Sequence, residues 1–90
     1  MALILKTSTK FERDLRKMKR QGRDLSKLKK IIDKLLIEEP LEYSSRDHRL
    51  VGNWKGYREC HVQPDWLLIY RVDGNLLLLA RTGSHAELFG

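Results

Sequence analysis

The segment that most limits what this chain can fold into is Trp66-Leu67-Leu68-Ile69-Tyr70-Arg71-Val72, which lies between two turn signals, Pro64-Asp65 and Asp73-Gly74. An apolar, aromatic-rich run this short and this tightly bounded suits a β-strand better than a helix. Asp-Gly is a preferred hairpin turn, because glycine takes the positive φ that such turns need. Asn75–Arg81 should therefore return antiparallel on one side of this strand, and Tyr57–Gln63 should pair on the other. The result is a three-stranded meander.

The first half of the chain has a different period. After a short apolar run, Leu3-Ile4-Leu5, that reads as a first strand, Phe11, Leu15 and Met18 recur at helical spacing. Thr9 and Glu12 form a capping-box pattern that starts this helix near Lys10. Gln21-Gly22 breaks it. Asp24 is a good N-cap for a second helix with apolar Leu25, Leu28, Ile32 and Leu35, and Pro40 lies beyond its end. Two amphipathic helices joined by a short turn need a sheet to cover. The expected fold class is α+β: an N-terminal strand, a two-helix hairpin packed on an antiparallel sheet that ends in the meander, and a short C-terminal helix or turn. Ninety residues fit one domain, 1–90, with no linker or repeat. Residues 38–56 form the one long irregular stretch, and loops of that length tend to be functional.

Register assigns faces. If both turns are two-residue turns, Gln63 opposes Trp66, His61 opposes Leu68, and Trp66 opposes Arg81. Partners share a face. Glu59, His61, Gln63, Trp66, Tyr70 and Arg81 would then lie on an open face, while Cys60, Val62, Leu67, Ile69, Leu76, Leu78 and Ala80 would pack under the helices. A one-residue slip would undo the assignment.

Charge narrows the function. The net charge is +6, unevenly spread: residues 1–34 hold twelve Lys/Arg against four acids. A basic block of this density fits a polyanion partner. The single Cys60 rules out an internal disulfide framework and fits a reducing cytoplasm. No apolar run approaches a membrane span, and the early Lys6 argues against a signal peptide, so a membrane role is not expected.

All three histidines, His48, His61 and His85, lie in the second half with Arg81, Glu59 and Asp65. Cleaving RNA without metal needs a base for the 2′-hydroxyl proton, an acid for the departing 5′-oxygen, and positive charge at the phosphorane-like transition state. Imidazoles fill the first two roles, since a pKa near 6.5 populates both forms near neutrality. Arginine fills the third. Glu59 and Asp65 both stand where a carboxylate could orient His61. His48, His61, Asp65 and His85 could also ligate a metal, but the short His-x-x-x-His or Cys-x-x-Cys pairs that anchor zinc are absent, so no metal or other cofactor is expected. Trp54, Trp66 and Tyr70 could stack on bases.

The pattern His48-x-Leu50-x-Gly52-x-Trp54-Lys55-Gly56-Tyr57-Arg58-x-x-His61-Val62-x-Pro64-Asp65-Trp66-x-Leu68-Ile69-Tyr70, closing with Arg81-Thr82-Gly83-x-His85-Ala86-x-Leu88-Phe89-Gly90, resembles the YafQ branch of the RelE superfamily of bacterial type II toxin–antitoxin systems. The resemblance spans essentially the whole chain. It implies a RelE-like fold and a ribosome-dependent mRNA endonuclease that needs no metal and leaves a cyclic phosphate. It also implies a cognate antitoxin, the 70S ribosome and mRNA as partners, and DNA only through the antitoxin complex. His85, His48, His61 and Asp65 fall on catalytic positions, with His85 the favoured proton donor. Arg81, Phe89, Glu59 and Lys55 fall on substrate-binding positions. Glu59 departs from the Asp of the family pattern while keeping its charge. The rival expectations are a catalytically inactive relative that acts as a co-repressor with its antitoxin, and a metal-dependent nuclease.

Overall fold

The computed structural model describes residues 2–90. Five strands form one mixed sheet in the order β1-β5-β4-β3-β2. They are β1 (Ile4–Thr7), β2 (His48–Arg49), β3 (Arg58–Gln63), β4 (Trp66–Asp73) and β5 (Leu76–Gly83). The helices are α1 (Thr9–Arg20), α2 (Leu25–Leu36) and α3 (His85–Phe89). The expected α+β architecture is present, with the meander β3-β4-β5 at its centre. Because β1 pairs parallel to β5, the sheet is mixed and not antiparallel throughout. The 38–56 stretch contributes the two-residue strand β2 at one edge and two 3-10 turns, Tyr43–Ser45 and Gly52–Trp54.

Both helix starts rest on side-chain caps. Asp24 caps α2, as expected, by accepting from the Ser26 backbone N–H at 3.0 Å. The α1 cap is Ser8, one residue before the expected Thr9; its hydroxyl accepts from the Phe11 N–H at 3.0 Å. The same hydroxyl donates to the Ala80 carbonyl at 2.6 Å, so the start of α1 is tied to β5. Thr9 falls inside the helix, and Glu12 accepts instead from the Thr7 hydroxyl. The buried residues of α1 are Phe11 and Met18, and those of α2 are Leu28, Ile31 and Leu35. Ile31 thus takes the core position expected of Ile32, which is only partly buried.

The register differs from the expected one at two β-bulges. Gln63 does oppose Trp66, but His61 opposes Leu67 and Cys60 opposes Leu68, leaving Val62 as an extra residue in β3. In β5, Tyr70 opposes Leu79 and Ile69 opposes Arg81, so Ala80 is the extra residue. Each extra residue reverses the alternation relative to the neighbouring strand. The helix-facing layer is therefore Cys60, Trp66, Leu68, Tyr70, Leu77 and Leu79. Trp66 and Tyr70 are core residues, not members of an open face, and Leu67, Ile69, Leu76 and Leu78 do not join that layer. Glu59, His61 and Arg81 still share the opposite face, now with Leu67 and Ile69 between them. All five residues Trp66–Tyr70 are buried, which explains a continuous apolar run in a strand covered on both sides.

Candidate functional site

The second face of the sheet carries the histidine cluster, which three elements assemble. On β3, Glu59 and His61 project to this face, and β2 sets His48 directly opposite Glu59. His48 Nε2 lies 3.7 Å from Glu59 Oε1, and the Glu59 residue is only 5% exposed. His48 Nδ1 lies 2.6 Å from the Arg46 carbonyl, an acceptor, so Nδ1 carries the proton and the neutral ring presents a lone pair at Nε2. Arg46 closes the preceding 3-10 turn in the left-handed conformation (φ 48°).

The third element is α3, which turns off the end of β5. Its N-cap Ser84 and Glu87 form a reciprocal capping box. Gly83 lets α3 lie close, since a Cβ there would meet Glu87 Oε1 at 3.2 Å and Leu88 Cδ2 at 3.3 Å. His85 opens this helix. Its backbone N–H and its Nδ1 both reach Asp65 Oδ1, at 3.0 and 2.7 Å. The two hydrogen bonds from His85, backbone first, hold the Asp65 carboxyl below its ordinary range, so the carboxylate stays an acceptor. His85 Nδ1 therefore donates, and Nε2 is left for exchange with a substrate. The His85 and His61 rings stand 5.8 Å apart between centroids, and one donor atom from each of Glu59, His61 and His85 lies within 4.8 Å of the others. His61 Nδ1 is buried and has no hydrogen-bond partner.

Arg81 sits two strands from Glu59 on the same face, about 10 Å away by strand spacing. Its guanidinium is held by Asp14 of α1, which accepts from Nε at 2.7 Å and from Nη2 at 3.1 Å. The same carboxylate accepts from the Thr82 N–H at 3.1 Å. The hydrogen bond to Asp14 raises the Arg81 pKa further, and this pairing uses Nε and Nη2, leaving the Nη1 donors outside it. One turn further along α1, Lys17 pairs with Glu87 of α3 at 2.6 Å. One helix thus holds both the arginine and the element bearing His85.

Of the expected site residues, His48, Glu59, His61, Asp65 and His85 come together, with Arg81 at the flank. Phe89 ends α3 and is 48% exposed, open to contact. Asp65 engages His85 and not the His61 that its sequence position suggested, because the β4–β5 pairing brings residue 85 beside the β3–β4 turn. Lys55 is not with the cluster. It lines a separate hollow with Arg49, Tyr57, Arg58 and Arg71. Trp54 packs edge-on against Tyr57 at 5.2 Å, and Cys60 is buried as expected, its thiol pushed up to about 12 chiefly by that burial. Sequence reasoning missed Asp14 and Asp47. Asp47 accepts from the Tyr70 hydroxyl at 2.6 Å and from Arg58 Nε at 3.1 Å, which seats the loop just before His48. The available signal for Asp14 was an acid beside the apolar stripe of an otherwise basic helix; Asp47 had none.

Two outcomes follow from these anchors. Asp14→Asn removes the charge that holds Arg81; if this face cleaves RNA, as the family resemblance implies, the single-turnover rate is expected to fall about tenfold or more. For Glu87, the Lys17 ammonium and the Ser84 N–H lower the pKa from 4.5 to about 2. A depressed carboxylate stabilises the fold above its unfolded pKa and loses that contribution as pH falls through the folded value. The Tm difference between wild type and Glu87→Gln should therefore be full at neutral pH, shrink below about 4.5, and vanish near 2.

Residues 3–90 match the family described as the bacterial toxin of type II toxin-antitoxin system, YafQ. The chain belongs to the YafQ family. It is 43% identical over 84 residues to the mRNA interferase toxin YafQ of Escherichia coli strain K12, covering 92% of this chain and 91% of that one. The crystal structure of the E. coli DinJ–YafQ toxin–antitoxin complex is similar with a TM-score of 0.92 at 40% identity over 100% of both chains. A copper-bound mutant toxin from Helicobacter pylori is similar with a TM-score of 0.93 at 44% identity, covering 97% of this chain and 99% of that one.

Proposed function

We propose that this protein is an mRNA interferase that cuts message in the decoding site of the ribosome by metal-independent acid–base catalysis. The observation that carries the reading is the His85–Asp65 pair facing His61 and Glu59, with Arg81 held on the same face. In this mechanism His48 or His61 takes the proton of a 2′-hydroxyl, whose oxygen bonds to the adjacent phosphorus. The bond from phosphorus to the 5′-oxygen breaks, and His85 protonates that oxygen as it leaves. The products are a 2′,3′-cyclic phosphate and a free 5′-hydroxyl. Asp65 keeps His85 in the tautomer that presents Nε2. Arg81 donates to the non-bridging oxygens as charge builds there. The Arg46 carbonyl orients His48, Glu59 stabilises the imidazolium formed once a histidine beside it has taken the proton, and Phe89 contacts a base.

The basic helices support ribosomal docking, since rRNA presents dense phosphate. An acidic segment of a cognate antitoxin would compete for the same charge, and DNA contact would come only through that complex. Among the described residues no helix is long and apolar enough to cross a membrane; the proposed site of action is the cytoplasm, with the ribosomes.

A second reading is favoured by one observation. Two imidazoles and a carboxylate, from His61, His85 and Glu59, converge within the reach of a single zinc or copper ion, and a Helicobacter relative is described as copper-bound. One experiment separates the two. The toxin is stripped with a chelator, dialysed, and added to a defined message with and without ribosomes. Cleavage that needs ribosomes and survives stripping is expected. Loss of activity restored by zinc or copper would favour the metal nuclease, and cleavage without ribosomes would overturn the docking.

A further inference from the structure

We propose that the groove between α2 and the 43–46 turn is the track for the single-stranded RNA next to the scissile phosphate. In it Lys27, Lys30 and Lys34 hold phosphates, and Tyr43 gives one base a stacking surface. The proposal rests on the ribonuclease reading above and extends it to substrate binding outside the histidine cluster.

The groove encloses about 710 Å³ and runs from the lysine face of α2 to His61. Positions 27, 30 and 34 follow the 3-4 spacing of one helical face, so their ammonium groups form a row about 10 Å long at the helical rise. Most of the charge on this row is left unneutralised, with Glu42 the one carboxylate among the described residues that lines the groove. Lys29, which does not line the groove, pairs with Asp33 at 2.8 Å. Among the described residues Lys27 and Lys30 make no ion pair, and Lys34 only approaches the exposed Glu42 at 3.9 Å. Opposite the row stands Tyr43, which is 99% exposed. An aromatic ring with nothing packed on it, beside a lysine row, matches the way proteins hold single strands: phosphates on one side, bases stacked on the other. Ile31, Leu41 and Val62 supply an apolar floor for base faces.

Continuity with the cluster favours RNA over an acidic protein segment. Arg46 lines the groove, while its carbonyl fixes His48. His61 belongs to both groove and cluster. A strand leaving the scissile phosphate past His61 enters the groove directly. A duplex would not, because its bases are turned inward and cannot reach Tyr43.

The test uses the full chain and a fluorescein-labelled single-stranded RNA decamer with 2′-O-methyl riboses, which cannot be cleaved, titrated by anisotropy over a range of salt. Replacing Lys27, Lys30 and Lys34 together with Gln should flatten the slope of log affinity against log salt by about 2, from about 0.7 per phosphate contact. Tyr43→Ala should weaken binding about tenfold, while Tyr43→Phe binds as wild type does. Wild-type affinity and slope in the triple variant would overturn the track. Equal losses in Tyr43→Ala and Tyr43→Phe would overturn the stacking role. If the variants keep RNA affinity but lose a poly-glutamate peptide, the groove seats an acidic protein segment and the proposal fails. Should the triple variant not fold, the Tyr43 pair decides alone, since that side chain is fully exposed. Failure of wild type to cleave message in a translating extract, with decamer binding intact, would sink the nuclease reading and not the track.

Discussion

His85→Ala is expected to lower the single-turnover rate of message cleavage by about 10²- to 10⁴-fold, the usual span for a general acid. That corresponds to about 3–5 kcal/mol of lost transition-state stabilisation. The side chain is exposed, so the variant should fold and melt as wild type does. Primer extension on a defined message in a translating extract, beside circular dichroism of the purified variant, measures both. In the proposed mechanism Asp65 acts through His85, and Asp65→Asn should therefore cost little in the His85→Ala background while costing activity on its own. A folded His85→Ala protein that cleaves at the wild-type rate would remove the assignment. Equal losses from Asp65→Asn in both backgrounds would separate the carboxylate from the histidine.

The second large effect concerns stability. Trp66 is 0% exposed in the core between the helices and β4, and its Nε1 donates to the Thr82 hydroxyl at 2.9 Å. That hydroxyl in turn donates to the Leu67 carbonyl at 2.8 Å. Trp66→Ala removes the indole and strands this pair, at an expected cost of about 3–5 kcal/mol. For a domain of this size the Tm should fall by roughly 15 °C or more. Trp66→Phe keeps most of the volume and should cost less, mainly the lost hydrogen bond. Urea or thermal unfolding measures both. A Tm unchanged in Trp66→Ala, with RNA binding lost, would return this residue to the base-stacking role that its strand position first suggested.

Much of the fold was legible because its signals are local. Asp24 before an apolar period marked α2, and the turn signals bounding β4 set the order of the meander. The charge of the helices was equally plain. The site was legible as residue types, with three histidines, two carboxylates and an arginine in one half of the chain. Partners were harder. Asp65 lies four residues from His61 in sequence, yet it binds His85, twenty positions away, because β5 delivers α3 to the β3–β4 turn. Tyr43 carried no signal at all; only its full exposure beside the lysine row singled it out.

The chain's local patterns determined by themselves the main helices and strands other than β2, their order, the basic helical half and the set of groups able to move protons. Only the tertiary structure decided which faces those groups share. Val62 and Ala80 are each one extra residue, and a bulge leaves no mark on apolar alternation because a buried central strand such as Trp66–Tyr70 is apolar at every position. The Ser8 hydroxyl, which satisfies the Ala80 carbonyl, and the Asp14 carboxylate, which takes Arg81, lie more than sixty residues from their partners. Such hydrogen bonds form only once the helices have packed, so the register of β5 and the aim of its arginine are set by the assembled fold.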